Sequence, residues 1–140
     1  MAALKDQICE AIRKEKRVYD LYRLVTAMTT NPERRAVTQR LADDAVRHLE
    51  IIERACRRHS PSLSTFFQHY VPDVKFAPAG EDQLAAALQA AFENKRELLE
   101  LYASLSDTAD AAGWSEVFRE LIEASEAHLE FVRTHLPAMT

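Results

Sequence analysis

AIRKEKRVYDLY (Ala11–Tyr22) and LADDAVRHLEIIE (Leu41–Glu53) carry the architecture of this chain. Each is an apolar stripe at helical spacing with one ionisable residue in its middle, Glu15 in the first and His48 in the second. Each also has a counterpart eighty residues later, in AAFENKRELLELY (Ala90–Tyr102) and LIEASEAHLEFVR (Leu121–Arg133). Tyr22 recurs as Tyr102 and His48 as His128, and Ala11/Ala91, Leu21/Leu101, Leu41/Leu121 and Leu49/Leu129 are identical with no gap. A Leu- and Ala-rich helical chain yields some such matches by chance, but a shared Tyr and a shared His are harder to dismiss. The repeat points to a duplicated helical hairpin.

The period predicts four long helices, over about 3–28, 32–59, 81–109 and 115–136. The first stripe runs Leu4, Ile8, Ile12, Glu15, Val18, Tyr22, Val25, and the second Val37, Leu41, Ala45, His48, Ile52, Ala55. The third runs Leu84, Leu88, Ala91, Lys95, Leu98, Tyr102, Leu105, and the fourth Val117, Leu121, Ser125, His128, Val132, His135. Asn31-Pro32 stops the first helix and starts the second, with Asn31 as cap and Pro32 at the first helical position. Gly113 marks the last break. Residues 60–80 hold Pro61, Pro72 and Pro78 but also Phe66, Phe67, Tyr70 and Phe76, too many aromatics for a disordered linker. They read as an ordered crossover with a short helix near Leu63–His69. Two hairpins with short internal loops and one long crossover form an all-α, ferritin-like four-helix bundle, here a single domain over 1–140.

The bulk numbers agree. The chain of 140 residues is long enough for one sizeable core, and 2 Gly and 5 Pro among abundant Ala, Leu, Glu and Arg favour helix. A net charge of −4 gives no pull toward nucleic acid, and no apolar run approaches the roughly 20 residues of a membrane span. The opening residues read as helix rather than as a signal peptide, and Cys9 and Cys56 form no CxxC pair, so the expected setting is a reduced cytoplasm. Whether the two thiols approach each other at one end of a hairpin is not readable from spacing. The basic run Arg13, Lys14, Lys16, Arg17 and the acidic pair Asp43-Asp44 both read as solvated edges.

The four stripe-breaking residues are Glu15, His48, Lys95 and His128. If the hairpins pack as predicted, they share one layer of the interior, with Tyr22 and Tyr102 nearby. Buried ionisable groups are costly unless paired, so the layer calls for internal partners. Taken singly, a core His is more often a packing residue than a ligand, and a core Glu or Lys can snorkel at a bundle edge. Repeat-related placement weakens that bland reading for the set.

At these four segments the chain resembles the rubrerythrin branch of the ferritin-like superfamily. The resemblance implies a two-iron site in which helices 1 and 3 each supply a Glu and helices 2 and 4 each supply Glu-x-x-His. Glu15, His48 and His128 match that pattern. Lys95 stands where the helix 3 Glu belongs, and Ala45 and Ser125 replace the two glutamates of the Glu-x-x-His motifs. Tyr22 and Tyr102 fall where the family often places tyrosines beside the site. Three of the four carboxylates are therefore missing, and an ammonium beside a dication is strongly repulsive at short range.

The leading expectation is thus a bundle that has lost diiron chemistry and serves as a non-catalytic scaffold or binding module. It would bind no cofactor, nucleic acid or membrane and would assemble as a homo-oligomer, expected to be a dimer. The alternative is a metal-dependent oxidoreductase or iron- or peroxide-handling protein with a reduced, mononuclear iron or manganese site built from Glu15, Asp44, His48 and His128. Asp44 enters because it lies four residues before His48 and can share its helix face. A third reading is a metal-free cavity in which Lys95 acts as a nucleophile, although Glu15 beside it opposes the activating fall in its pKa.

Overall fold

The computed structural model describes residues 4–72, 80–107 and 113–136. Among them the chain forms five helices and no strand: α1 Leu4–Met28, α2 Pro32–His59, α3 Pro61–His69, α4 Glu81–Ser106 and α5 Ser115–His135. The short crossover helix expected near Leu63 begins two residues earlier, at Pro61, directly after Ser60 ends α2. Phe76 and Pro78, the predicted last turn of the third long helix at 108–109, and the terminal residues lie outside the described residues.

The helix boundaries follow local chemistry. Asn31 caps α2 through its side-chain oxygen, which accepts from the backbone N–H groups of Glu33 at 3.0 Å and Arg34 at 3.1 Å, with Pro32 at the first helical position. Arg57, Arg58 and His59 occupy the last turn of α2, where positive charge suits the helix dipole. Gly113, which precedes α5, has φ +78°, and a Cβ there would stand 2.8 Å from the His59 ring, so both conformation and space require glycine.

The four long helices form a closed ring in the order α1, α2, α5, α4, each packed on its two neighbours, while α3 lies outside against α1 and α2. The core is Leu-, Ile- and Ala-rich and continuous from Ile8 and Leu84 to Val132. Glu81, at the start of α4, accepts from the Thr29 and Thr30 side chains, the Thr30 N–H and the Arg34 guanidinium, which couples the second hairpin to the turn of the first.

Two surface expectations change. Arg13 and Lys16 are not a simple solvated face. Lys16 donates to the carbonyls of Phe67 and, at 2.9 Å, Tyr70, acceptors left free by the helix at the end of α3. Arg13 lies 5.2 Å over the Phe66 ring and 6.0 Å over Tyr70, and Lys14 pairs with Glu97 of α4 at 2.7 Å. The run thus fastens α3 and α4 to α1. His135, expected on the apolar stripe of α5, is exposed, because it sits at the end of the bundle beside the start of α2. No helix among the described residues is long and apolar enough to cross a membrane.

Candidate functional site

The six residues of the anticipated layer are all buried: Glu15, Tyr22, His48, Lys95, Tyr102 and His128 are each at most 4% exposed. They come from all four long helices, each from the middle of its apolar stripe, because seven-residue and three- or four-residue spacings keep them on the inward face.

Lys95 is the hub. Its Nζ donates to Glu15 Oε1 at 2.6 Å and lies 2.7 Å from His48 Nδ1. An ammonium has no lone pair, so Nδ1 of His48 must be the acceptor and the imidazole proton sits on Nε2. Glu15 Oε2 accepts from the Tyr102 hydroxyl at 3.1 Å and stands 4.0 Å from His48 Nδ1. On the other side, the Tyr22 hydroxyl meets His128 Nε2 at 2.6 Å. The His48 and His128 rings approach edge-on, with centroids 5.5 Å apart, and link the two clusters. Two of these bonds, Lys95 to His48 and Tyr22 to His128, cross the ring of helices along its diagonals, joining elements that are not neighbours in the ring.

Burial sets the protonation states. It depresses His48 to about 2, with the Lys95 charge acting in the same direction, and His128 to about 3, where Lys95 adds to the effect and Glu15 opposes it. Both imidazoles are neutral at physiological pH. Burial also pulls Lys95 below its ordinary value, against the Glu15 carboxylate, and pushes the Tyr22 and Tyr102 phenols up, so both keep their protons. One carboxylate facing one ammonium, with neutral rings and phenols around them, is a charge-balanced interior.

Asp44 is not the plain solvated edge expected of it. Its side chain is only 13% exposed, it accepts from Arg47, and its Oδ2 stands 3.6 Å from His128 Nδ1. That distance is too long for a hydrogen bond, and His128 Nδ1 has no partner among the described residues, nor has the buried Ser125 Oγ. Ala45 and Ser125, the repeat-related pair one turn before the two histidines, are both buried at 1% exposure or less. Among the described residues no three or more His, Cys, Asp and Glu side chains are grouped as a metal site.

An aromatic wall lies beside the predicted stripes. Phe92 packs on Tyr22 with centroids 6.3 Å apart, while Phe118 stacks between Tyr102 at 6.0 Å and Trp114 at 5.7 Å. Thr38 and Phe118 are buried where Val37 and Val117 were expected to lead, and those valines are only partly buried. Thr38 and Phe118 stand three residues before Leu41 and Leu121, a helical spacing that could have revealed them. Cys56 is fully buried, and its thiol is pushed up to about 12, first by burial and then by Cys9; both cysteines are free thiols.

An all-α ring of four long helices with an internal layer of polar side chains, one or two per helix, defines a ferritin-like bundle. The rubrerythrin family model matches residues 4–136, nearly the whole chain, and the chain belongs to that family. No curated protein and no solved structure gives a significant match.

Proposed function

We propose that this rubrerythrin-family bundle works without a metal, as a non-catalytic scaffold or binding module whose former diiron layer is now a self-contained polar network. The observation that carries this is the position of Lys95 Nζ, 2.6 Å from Glu15 and 2.7 Å from His48. The ammonium takes up lone pairs that a metal ion would need and supplies a positive charge in its place. With Ala45 and Ser125 at the other two glutamate positions, the layer retains one carboxylate, too few to neutralise two divalent ions. The residues do not fit a dinuclear centre. Two free thiols suit a reducing cytoplasm, and a homodimer is the assembly we assign, tested by light scattering on the eluting protein.

The decisive measurement is elemental analysis of purified protein, followed by anaerobic ferrous and manganous titration. Metal-free protein that stays helical after exhaustive chelation is the expected result, and stoichiometric tightly bound iron or manganese overturns the proposal. The second reading, a metal-dependent oxidoreductase with a mononuclear site, is favoured by one observation. Asp44 Oδ2 and His128 Nδ1 stand 3.6 Å apart with no hydrogen bond between them, a separation that two ligands of one ion can have. It requires that His128→Ala or Asp44→Ala abolish metal uptake.

A further inference from the structure

Between α2 and α5 the bundle wall opens into a groove of about 440 Å³ that leads inward to the polar layer. Its walls are repeat-related positions with unequal contents. Asp44 and Arg47 on α2 correspond to Ala124 and Ala127 on α5, and the two alanines leave open the space that longer side chains would fill. The inner end is formed by His48 and His128, at 4% and 1% exposure, whereas the Arg40 and Arg47 side chains at the rim are 60% exposed. Ile51 and Phe131 add apolar surface, and the Arg40 guanidinium lies 5.0 Å over the Phe131 ring.

Hydrogen placement says what this groove would accept. The Tyr22 hydroxyl keeps its proton and meets His128 Nε2 at 2.6 Å. Donating there leaves the imidazole proton on Nδ1, facing Asp44 Oδ2 at 3.6 Å, whereas the opposite tautomer would aim a lone pair at that carboxylate. His128 therefore holds a buried N–H at the inner end of the groove that makes no hydrogen bond, with the Asp44 carboxylate in front of it at 3.6 Å. A buried donor left unsatisfied is costly, and a ligand acceptor would relieve it. His48, with its proton on Nε2, adds a second donor-bearing ring. At the rim Arg47 is engaged by Asp44, while Arg40 stands 3.9 Å from that carboxylate and keeps donors for a ligand. Two guanidinium groups against one carboxylate leave the groove one positive charge in excess.

We propose that the α2–α5 groove binds a small organic carboxylate with an apolar body. Its carboxylate displaces the Asp44 carboxylate from between Arg40 and the His128 Nδ1–H, with Asp44 kept on Arg47, and its body lies against Ala124, Ala127 and Phe131. This rests on the Lys95-centred reading above, because the imidazoles are donors only when no metal takes their nitrogens.

The test is isothermal titration of metal-analysed protein with 2-naphthoate, with 2-naphthamide as the uncharged control. Saturable one-site binding of the acid is expected, about tenfold tighter than the amide, the scale of one charge-assisted hydrogen bond. Ala124→Leu, which fills the groove, should weaken binding of 2-naphthoate at least about tenfold, and Arg40→Gln about tenfold, with helicity retained in both. If Ala124→Leu does not fold, Ala127→Leu at its exposed position serves the same purpose. Absence of saturable binding, equal affinity for acid and amide, or affinity untouched by the groove-filling variants overturns the proposal. Stoichiometric metal in the same sample instead overturns the Lys95-centred reading itself, and metal-free protein that ignores 2-naphthoate overturns the groove assignment alone.

Discussion

Tyr22 and Tyr102 occupy equivalent points of the two hairpins, α1–α2 and α4–α5, yet they bond differently. Tyr22 reaches diagonally to His128 at 2.6 Å, and by symmetry Tyr102 would reach His48. It donates instead to Glu15 at 3.1 Å, while His48 accepts from Lys95 at 2.7 Å. The opposite charges of Glu15 and Lys95, eighty residues apart, account for the difference. The ammonium binds the carboxylate and takes His48, and the second carboxylate oxygen then draws Tyr102. The layer is an asymmetric network with one ionic cluster and one neutral Tyr–His pair.

The heaviest loss comes from removing the Lys95 charge. Lys95→Met leaves Glu15 buried beside neutral groups and should cost about 3–5 kcal/mol in urea unfolding, as for other broken buried ion pairs. Glu15→Met combined with Lys95→Met should recover most of that loss, since a buried pair replaced by apolar groups of similar size is often near neutral. A double variant as unstable as the single one would show that the pair itself holds the bundle together.

Acid comes next. Both imidazoles are held neutral in the fold, at about 2 for His48 and about 3 for His128, against an ordinary value of 6.5. Below pH 6.5 the unfolded chain binds two protons that the folded chain refuses, so stability falls as pH drops, continuing toward pH 3. The slope is up to about 1.4 kcal/mol per pH unit for each ring. Urea midpoints measured from pH 7 to 4.5 should decline steadily in the parent protein and less steeply in His48→Gln or His128→Gln. A flat profile over that interval is incompatible with two buried neutral histidines.

The tyrosine pair should separate the two clusters more finely. Tyr102→Phe removes a bond to a charged acceptor and should cost roughly 1.5–3 kcal/mol, while Tyr22→Phe removes a neutral bond and should cost about 1–2 kcal/mol. The second variant also leaves His128 with both ring nitrogens unpartnered, so its imidazole resonances should broaden or shift while those of His48 hold. The smallest effect is at the hairpin turns. Asn31→Ala removes a cap with two bonds and should lower stability by about 1 kcal/mol. Trp114, which precedes α5, makes no side-chain cap bond, so changes there act through core packing rather than through capping.

Much of this molecule was legible in its residues. Period placed the long helices, Asn31-Pro32 placed the first turn, and the interruption of each stripe singled out Glu15, His48, Lys95 and His128. Those features are local, and a 3.6-residue repeat records which side of a helix faces inward. The roles of Arg13 and Lys16 were not legible, because their partners are aromatic faces and the backbone carbonyls that end α3, which no side-chain pattern marks. Phe118 and Thr38 were obscured by adjacent valines of equal apolarity, and the proximity of Asp44 to His128 depends on how α2 and α5 approach.

The helical period of the residues alone specifies an all-helical rubrerythrin-family bundle and the ionisable side chains that interrupt its stripes, Glu15 and Lys95 among them with opposite charge. Which of those side chains bond to each other is set by packing. Hydrogen bonds are short and directional, and the diagonal reach of Lys95 and Tyr22, the orphaned His128 Nδ1 and the groove beside it arise from the packing of four helices.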